Sequence, residues 1–178
     1  MGDNGAQPLY LRDPAAWREQ LAEGNRTQPR KRVAAEVHLH DESGRLLLVD
    51  PVYKPYWDIP GGMVEANEPP HDAAVRELGE ELGLEPVLGA LLCVDWVAPH
   101  GPWDDLLMFV FDGGTLSSER AASLRPTDGE LQELRWCTPA QAEELLREDV
   151  WARTRAALSA REAHQTLYLH GGRPISGG

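Results

Sequence analysis

The sequence predicts an α+β domain, in which helices cover both faces of a mixed β-sheet. Three observations carry this prediction: a hairpin pattern near residue 40, a strongly patterned helix over residues 70–82, and apolar strands that alternate with helical segments after it. Elements in this order are expected to form an α/β/α sandwich, because each apolar sheet face needs a covering layer. At 178 residues, the chain is long enough to bury a hydrophobic core.

The N-terminal part, residues 1–32, is predicted to be an extension that carries one short helix. Residues 1–9 are expected to fray. Asp13 can cap the first turn of the helix and Gly24 can end it, which places the helix between residue 13 and about residue 22. Trp17 and Leu21 would give it one apolar stripe. Simple packing, a substrate contact and a contact in a homodimer are all open for this stripe.

The main domain is expected over residues 33–170, followed by a loose tail over residues 171–178. Residues 33–40 and 46–49 alternate like strands around a turn of polar residues, which predicts a β-hairpin. His38 and His40 lie on its first strand and are interpreted as ordinary strand residues. The later elements are predicted as buried strands over 87–97 and 106–111, a polar loop over 112–129, a strand over 133–137, helices over 138–146 and 149–163, and a short strand over 166–170.

Charge and cysteine content restrict the class of partner. The net charge of −12 argues against a nucleic-acid duplex or an anionic membrane, since both would repel the chain. Cys93 and Cys137 form neither a disulfide framework nor a metal-ligand spacing, so a reducing cytoplasm is the expected location. A polyanionic substrate would need bound cations, which is consistent with a metal-dependent site.

The helix over residues 70–82 gathers acidic residues on one side. A turn of about 100° per residue brings Glu77, Glu80 and Glu81 together. Val75, Leu78 and Leu82 are then expected to face the core. Carboxylates spaced in this way repel each other, so they indicate either a solvated surface or a site for a hard cation such as Mg²⁺.

The stretch that contains this helix resembles the Nudix box, the signature of the Nudix hydrolases. The box pattern is Gly, five residues, Glu, seven residues, and then Arg-Glu-hydrophobic-any-Glu-Glu-any-Gly-hydrophobic. It is filled without departure by Gly62, Glu68, Arg76, Glu77, Leu78, Glu80, Glu81, Gly83 and Leu84. Trp57, Pro60 and Gly61 also match the segment that leads into the box in that family. The resemblance implies the Nudix fold and metal-dependent hydrolysis of a diphosphate linkage.

The resemblance also implies roles for individual residues. Mg²⁺ or Mn²⁺ would be held by the Gly62 carbonyl and by the carboxylates of Glu77, Glu80 and Glu81. The residues expected to take part in catalysis are Arg76, Glu77 and Glu80, with Glu77 as base or ligand and Arg76 orienting it. The residues expected to be structural are Gly61, Gly83 and Glu68, with Glu68 paired to Arg76. Glu119, Glu130 and Glu133 are later acidic residues that could supply the base instead.

Substrate class is indicated only by scattered features. Pro99 lies fifteen residues beyond Leu84, a spacing similar to that of the ADP-ribose pyrophosphatase branch, which favours ADP-ribose or a nucleotide sugar. Residues that could contact such a substrate are Arg32, Trp57, Pro99, Trp103 and Glu130.

Three alternatives stay open. One is a (deoxy)nucleoside triphosphate pyrophosphohydrolase, and another is a non-catalytic Nudix-like module. The third, an isomerase of the isopentenyl diphosphate kind, would need a cysteine before the box, whereas both cysteines follow it.

Overall fold

A computed structural model of the chain describes residues 7–127 and 129–175 and divides into two compact units, Met1–Arg30 and Lys31–Gly178. The fraying expected for residues 1–6 and the tail expected for residues 176–178 lie outside the described residues. In the two described ranges, every helix is too short or too polar to cross a bilayer.

The first unit contains α1 (Leu9–Arg12) and α2 (Pro14–Thr27). The prediction that Asp13 caps the helix is confirmed, because one of its carboxylate oxygens accepts hydrogen bonds from the amides of Ala15 and Ala16 at 3.1 and 3.0 Å. The predicted end at Gly24 is wrong, since α2 continues to Thr27. A glycine costs only about 1 kcal/mol inside a helix, which a further turn of hydrogen bonds can offset.

The second unit contains one mixed sheet. The strands of its described residues are β1 (Arg32–Asp41), β2 (Leu46–Pro51), β3 (Gly61–Met63), β4 (Leu91–Val97), β5 (Leu106–Leu116), β6 (Leu131–Cys137), β7 (Leu167–His170) and β8 (Arg173–Pro174). Their order in the sheet is β6-β2-β1-β5-β4-β7-β8, with β3 also paired to β1. β1 pairs with β5, and β4 with β7, in parallel, whereas the other pairs are antiparallel. The helices there are α3 (Pro70–Leu82), α4 (Ser118–Ser123), α5 (Pro139–Leu145) and α6 (Glu148–Glu162).

Helices cover both faces of this sheet, so the predicted α+β sandwich is confirmed. On one face, Val37 and Leu39 of β1 pack in a buried cluster with Leu78 and Leu82 of α3. Buried alanines of α6 pack on the opposite face against Leu92, Val110 and Leu169. The expectation that Val75 belongs to the core side of α3 is wrong, because it is only half-buried while Ala74 takes that place.

Three predicted elements differ from the structure. The strand expected over 87–97 begins only at Leu91, and Val87 is almost fully exposed. The loop expected over 112–129 contains the end of β5 and all of α4, because the polar end of β5 continues its parallel pairing with β1 as far as Leu116. The expected loose tail is wrong at residues 173–174, which form β8 on β7.

His38 is a buried polar residue at the centre of the sheet. It lies on β1 as expected, but its two ring nitrogens have no hydrogen-bond partner among the described residues. Burial, together with the neighbouring His40 and Arg153, lowers the pKa of His38 to about 3. The imidazole is therefore neutral in the folded protein at neutral pH.

We expect His38 to make the protein sensitive to acid. Between its folded pKa of about 3 and its unfolded value of 6.5, the unfolded chain binds more protons. The free energy of unfolding therefore falls as the pH drops through this window, by up to about 1.4 kcal/mol per pH unit. His38→Leu should remove this part of the slope in urea titrations between about pH 4 and pH 7. The exposed His71, replaced by glutamine, is the control, and an unchanged slope in His38→Leu would contradict the assignment.

Candidate active site

The helix that carries the acidic residues, α3, begins and ends where local chemistry requires. Pro70 occupies its first position, where a missing amide hydrogen costs nothing. Gly83 ends it in the left-handed conformation, with φ of 62°. The amides of Gly83 and Leu84 then donate to the carbonyls of Gly79 and Leu78 at 3.0 and 3.1 Å. These contacts fix the start and the end of α3.

Arg76 is the centre of the site, because its guanidinium contacts three carboxylates and a carbonyl. Its Nε and Nη2 donate to the two oxygens of Glu68 at 2.9 and 3.1 Å. Its Nη1 donates to Glu77 and Glu80, both at 2.9 Å. Nη2 also donates to the Met63 carbonyl at 3.0 Å, which ties α3 to β3. The positive charge of Arg76 thus stabilises three neighbouring carboxylates that would otherwise repel each other.

Two glycines of β3 bring the remaining parts of the motif together. The Gly61 amide donates to Glu81 Oε2 at 3.1 Å, and Glu81 is only 5% exposed. The Glu77 carboxylate lies directly against Gly62, where an added Cβ would be 2.4 Å from the Glu77 Cδ. A side chain at either glycine would clash, since a Cβ at Gly61 would lie 2.1 Å from the Ala35 carbonyl oxygen. The Gly61–Gly62 segment and the acidic side of α3 are therefore in contact.

The pKa values of Glu68, Arg76 and Glu77 are shifted by their surroundings. Burial raises the pKa of Glu77, with Glu80 and Glu130 adding to the rise and Arg76 opposing it. Hydrogen bonds from Arg76 lower the pKa of Glu68. The same contact, with a further one to Glu77, raises the pKa of Arg76, which stays charged at any physiological pH. The proton affinity of the Glu77 carboxylate is thus enhanced.

The later acidic candidates lie in different places. Glu130 is close enough to Glu77 to influence its pKa, and its loop is anchored to α3 by Thr127. The Thr127 amide donates to the Glu81 carbonyl at 2.9 Å, and its hydroxyl donates to the Glu80 carbonyl. Glu133 instead pairs with Arg135 on β6, and Glu119 is in α4, whose Ser118 bonds Glu42 beside the β1–β2 turn. Asp128, another acidic residue of this loop, lies outside the described residues.

A cleft of about 320 Å³ extends from Gly61 and Gly62. Its walls include Arg32, whose guanidinium stacks over the Trp103 ring at 4.5 Å, and the rings of Tyr53 and Tyr56. Of the residues expected to contact substrate, Arg32 and Trp103 line this cleft. Trp57, Pro99 and Glu130 do not line it. Trp57 instead packs against a separate buried cluster that includes Leu46 and Ile59. The Arg135 guanidinium lies 4.4 Å from the centre of the Trp57 ring.

The sequence analysis missed the charged group at the base of the cleft. Glu36 of β1 and Arg153 of α6 both line the cleft, and they form a buried ion pair that Asp95 of β4 completes. The available signal was Asp95, the one charged residue of the apolar β4 segment, and Glu36, which lies among apolar residues of β1, since such residues are rarely buried unless paired. Arg153 gave no such signal, because α6 contains several other charged residues. Nothing in the sequence indicated which of them would pair.

The donor atoms of the box fit a hard divalent cation. Glu77, Glu80 and Glu81 supply carboxylate oxygens, and Gly62 supplies a carbonyl, which are the ligands that Mg²⁺ and Mn²⁺ prefer. Within residues 7–127 and 129–175, no three acidic, histidine or cysteine side chains are arranged as a preformed metal cluster. Mg²⁺ commonly takes one or two carboxylates, with water and substrate phosphate completing its shell.

The family is decided by comparison with known proteins. The model of the NUDIX domain family matches residues 30–159, which is well over half of the chain. The chain belongs to the Nudix hydrolase family. Members of this family generally use a divalent metal, and the box residues described above are the ones that carry the family signature here.

Individual relatives agree with this assignment. A putative 8-oxo-dGTP diphosphatase of Bacillus subtilis is 34% identical over 107 residues, which cover 60% of this chain and 66% of the relative. The phosphatase NudJ of Shigella boydii is 31% identical over 123 residues, which cover 67% of this chain and 73% of that protein. The chain thus spans slightly less than two thirds of the first relative.

The Nudix fold predicted from the motif is confirmed by solved structures. The NUDIX domain of Shewanella oneidensis NrtR, crystallised with ADP ribose, superimposes with a TM-score of 0.64. The match covers 83% of this chain and 98% of that domain at 17% identity, so it supports the fold alone.

Proposed function

We propose that this Nudix protein hydrolyses the diphosphate linkage of a nucleoside diphosphate joined to another moiety, in a reaction that depends on Mg²⁺ or Mn²⁺. ADP-ribose or a nucleotide sugar is the favoured class. The observation that carries the proposal is the contact between the Gly61–Gly62 segment and the acidic side of α3 at one end of the cleft. This arrangement places the candidate metal ligands beside a cavity large enough for the rest of a substrate.

The residues of the chain would divide the work as follows. Glu77, Glu80, Glu81 and the Gly62 carbonyl would hold the cation, which when bound neutralises diphosphate charge and lowers the pKa of water. Arg76 keeps Glu77 and Glu80 in place through the contacts of its Nη1. Glu77 would accept the proton of the attacking water, because its raised pKa increases its strength as a base.

Glu130 is the second candidate for the base. Its charge contributes to the raised pKa of Glu77, and the loop before it is anchored to α3 through Thr127. Glu130 can therefore approach a diphosphate bound at the box. Glu119 and Glu133 are less suitable, since Glu133 is bonded to Arg135 and Glu119 lies in α4. Glu130→Gln separates the two assignments: an unchanged kcat would exclude Glu130 as the base, whereas Glu77→Gln would lower kcat in either case, because Glu77 is also a proposed metal ligand.

The walls of the cleft support a substrate with a group beyond the diphosphate. Trp103, Tyr53 and Tyr56 present aromatic rings, and Arg32 adds a planar cation that can stack on a base or contact a phosphate. A (deoxy)nucleoside triphosphate is the second candidate, and the likeness to a putative 8-oxo-dGTP diphosphatase favours it.

A substrate panel tests this proposal. ADP-ribose, UDP-glucose, dGTP and 8-oxo-dGTP are incubated with the protein and Mg²⁺ or Mn²⁺, and the products are identified by chromatography. We expect ADP-ribose or UDP-glucose to give a nucleoside monophosphate and a sugar phosphate. Rapid turnover of the triphosphates with ADP-ribose untouched would reverse the order of the two candidates. Absence of turnover with every compound and both metals would contradict the hydrolase proposal.

A further inference from the structure

The base of the cleft carries a buried arginine that is held from two sides. Arg153 donates from Nε and Nη2 to the two carboxylate oxygens of Glu36, at 3.1 and 2.8 Å. Its Nη1 donates to Asp95 at 3.4 Å. The three side chains are between 1% and 6% exposed, yet Glu36 and Arg153 line the cleft. Removing charges from water in this way costs free energy that an apolar group would not, so stability alone does not explain the arrangement.

The turn between β7 and β8 positions this arginine. The Gly172 amide donates to both carboxylate oxygens of Asp95 at 3.0 Å. Gly172 has a φ of +75°, and a Cβ there would lie 2.7 Å from the Ala152 Cβ and 2.8 Å from the Arg153 amide nitrogen. The backbone of the turn is thus packed directly against α6 at Arg153, the residue that lines the cleft.

The charge at the base of the cleft disfavours a phosphate. Around Glu36 and Arg153, the carboxylates of Glu36, Asp58 and Asp95 outnumber the two cations Lys54 and Arg153, which gives this group a formal charge of −1. The rest of the cleft adds the charged residues Arg32, Arg147 and Asp149. Lys54 is bonded to Asp58, and Arg153 to Glu36 and Asp95, so neither cation is available as a lone charge. What this surface offers is a hydrogen-bond acceptor, Glu36, beside a donor, Arg153.

Glu36 is also close to the box. Its Cα is the β-sheet partner of Gly61, the glycine whose amide bonds Glu81. A substrate whose diphosphate lies at Gly61–Gly62 would therefore place its next group over Glu36 and Arg153.

We infer that Glu36 and Arg153 are specificity-determining residues that bind an uncharged group of the substrate, one that presents a hydrogen-bond donor beside an acceptor, such as a nucleobase edge or adjacent sugar hydroxyls. Gly172 and Asp95 act through Arg153 as positioning residues. The orientation of the substrate, with its diphosphate at the box, rests on the proposed function, whereas the binding of a neutral group does not.

Binding of neutral compounds without metal tests the inference independently of hydrolysis. Adenosine, guanosine, uridine and ribose are titrated at millimolar concentration into the metal-free protein, and saturation-transfer NMR detects binding. We expect at least one of them to bind, and Glu36→Gln to weaken it by about tenfold or more, because an amide nitrogen would face the donors of Arg153. Glu80→Gln, which changes a box carboxylate, should leave this binding unchanged.

A pair of glycine variants tests the positioning role. Gly172→Ala should weaken binding of the same nucleoside or sugar, since its Cβ would collide with Ala152 and Arg153. Gly171→Ala is the matched control, because Gly171 also has a positive φ, of +59°, but an added Cβ would meet nothing within 4 Å. Circular dichroism tests whether each variant is folded. If Glu36→Gln does not fold, the comparison of Gly172→Ala with Gly171→Ala decides the test.

The outcomes are separable. If none of the four compounds binds to the wild-type protein, or if Glu36→Gln and Gly172→Ala bind as the wild type does, the inference is overturned. If nucleoside binding behaves as expected but the substrate panel shows no hydrolysis, the neutral subsite stands and the proposed function falls. Activity assays with a working substrate add a second readout, in which Gly172→Ala raises KM more than it lowers kcat.

Discussion

Glu81→Gln is expected to lower turnover on the order of 100-fold or more while leaving the fold intact. Glu81 is buried, and one of its oxygens accepts a hydrogen bond from the Gly61 amide. Glutamine retains an oxygen that can accept this bond, so β3 and α3 should stay in contact. It removes the negative charge, which strengthens the binding of a divalent cation.

The measurement combines kinetics with direct metal binding. We expect the dissociation constant for Mn²⁺, measured by electron paramagnetic resonance, to rise together with the loss of kcat. Glu85→Gln is a matched control, because Glu85 is an exposed glutamate just beyond the end of α3. A Glu81→Gln protein with wild-type turnover and Mn²⁺ affinity would show that Glu81 is not a ligand.

Arg76→Gln is expected to affect both stability and turnover. Arg76 is the common partner of Glu68, Glu77 and Glu80, and its side chain is only 27% exposed. Its loss leaves three neighbouring carboxylates without their shared cation, so we expect the free energy of unfolding to fall by about 2 kcal/mol. Turnover should fall on the order of 100-fold, because Glu77 and Glu80 lose the group that orients them.

Urea titration and steady-state kinetics measure the two effects. Arg135→Gln is the control, since Arg135 also makes two hydrogen bonds to a glutamate but lies at an exposed position of β6. Exposed pairs of this kind contribute little, roughly 0–1 kcal/mol. Equal effects of the two substitutions would mean that Arg76 is an ordinary surface ion pair and does not organise the site.

The comparison of sequence and structure is clearest in α3. Its start at Pro70, its end at Gly83 and the grouping of Glu77, Glu80 and Glu81 all follow from helix periodicity and capping, which act within a few residues. Helix periodicity does not distinguish how deeply each of the three glutamates is buried. In the structure, Glu81 is buried against Gly61 while the Glu80 side chain is 56% exposed, because β3 approaches only one edge of the acidic side.

The polar end of β5, in contrast to α3, could not be predicted from local sequence. Residues 112–116 contain two glycines, an aspartate and a threonine, and no local pattern marks them as a strand. They become one because β1 lies alongside and supplies the backbone partners. Gly113 also fits there for a tertiary reason, since a Cβ would lie 2.6 Å from a side-chain carbon of Val37. Tertiary pairing can thus override the local preference of a segment.

The sequence by itself determined the family signature, the helix that carries the box, and the β1–β2 hairpin, because each depends on residues close together in the chain. Only the tertiary structure decided the cleft and the partners of its charged groups. Glu36 and Arg153 are 117 residues apart, and Asp95 belongs to a third element. Their pairing is set by the order of strands in the sheet and by the packing of α6 upon it, neither of which is encoded in a local motif.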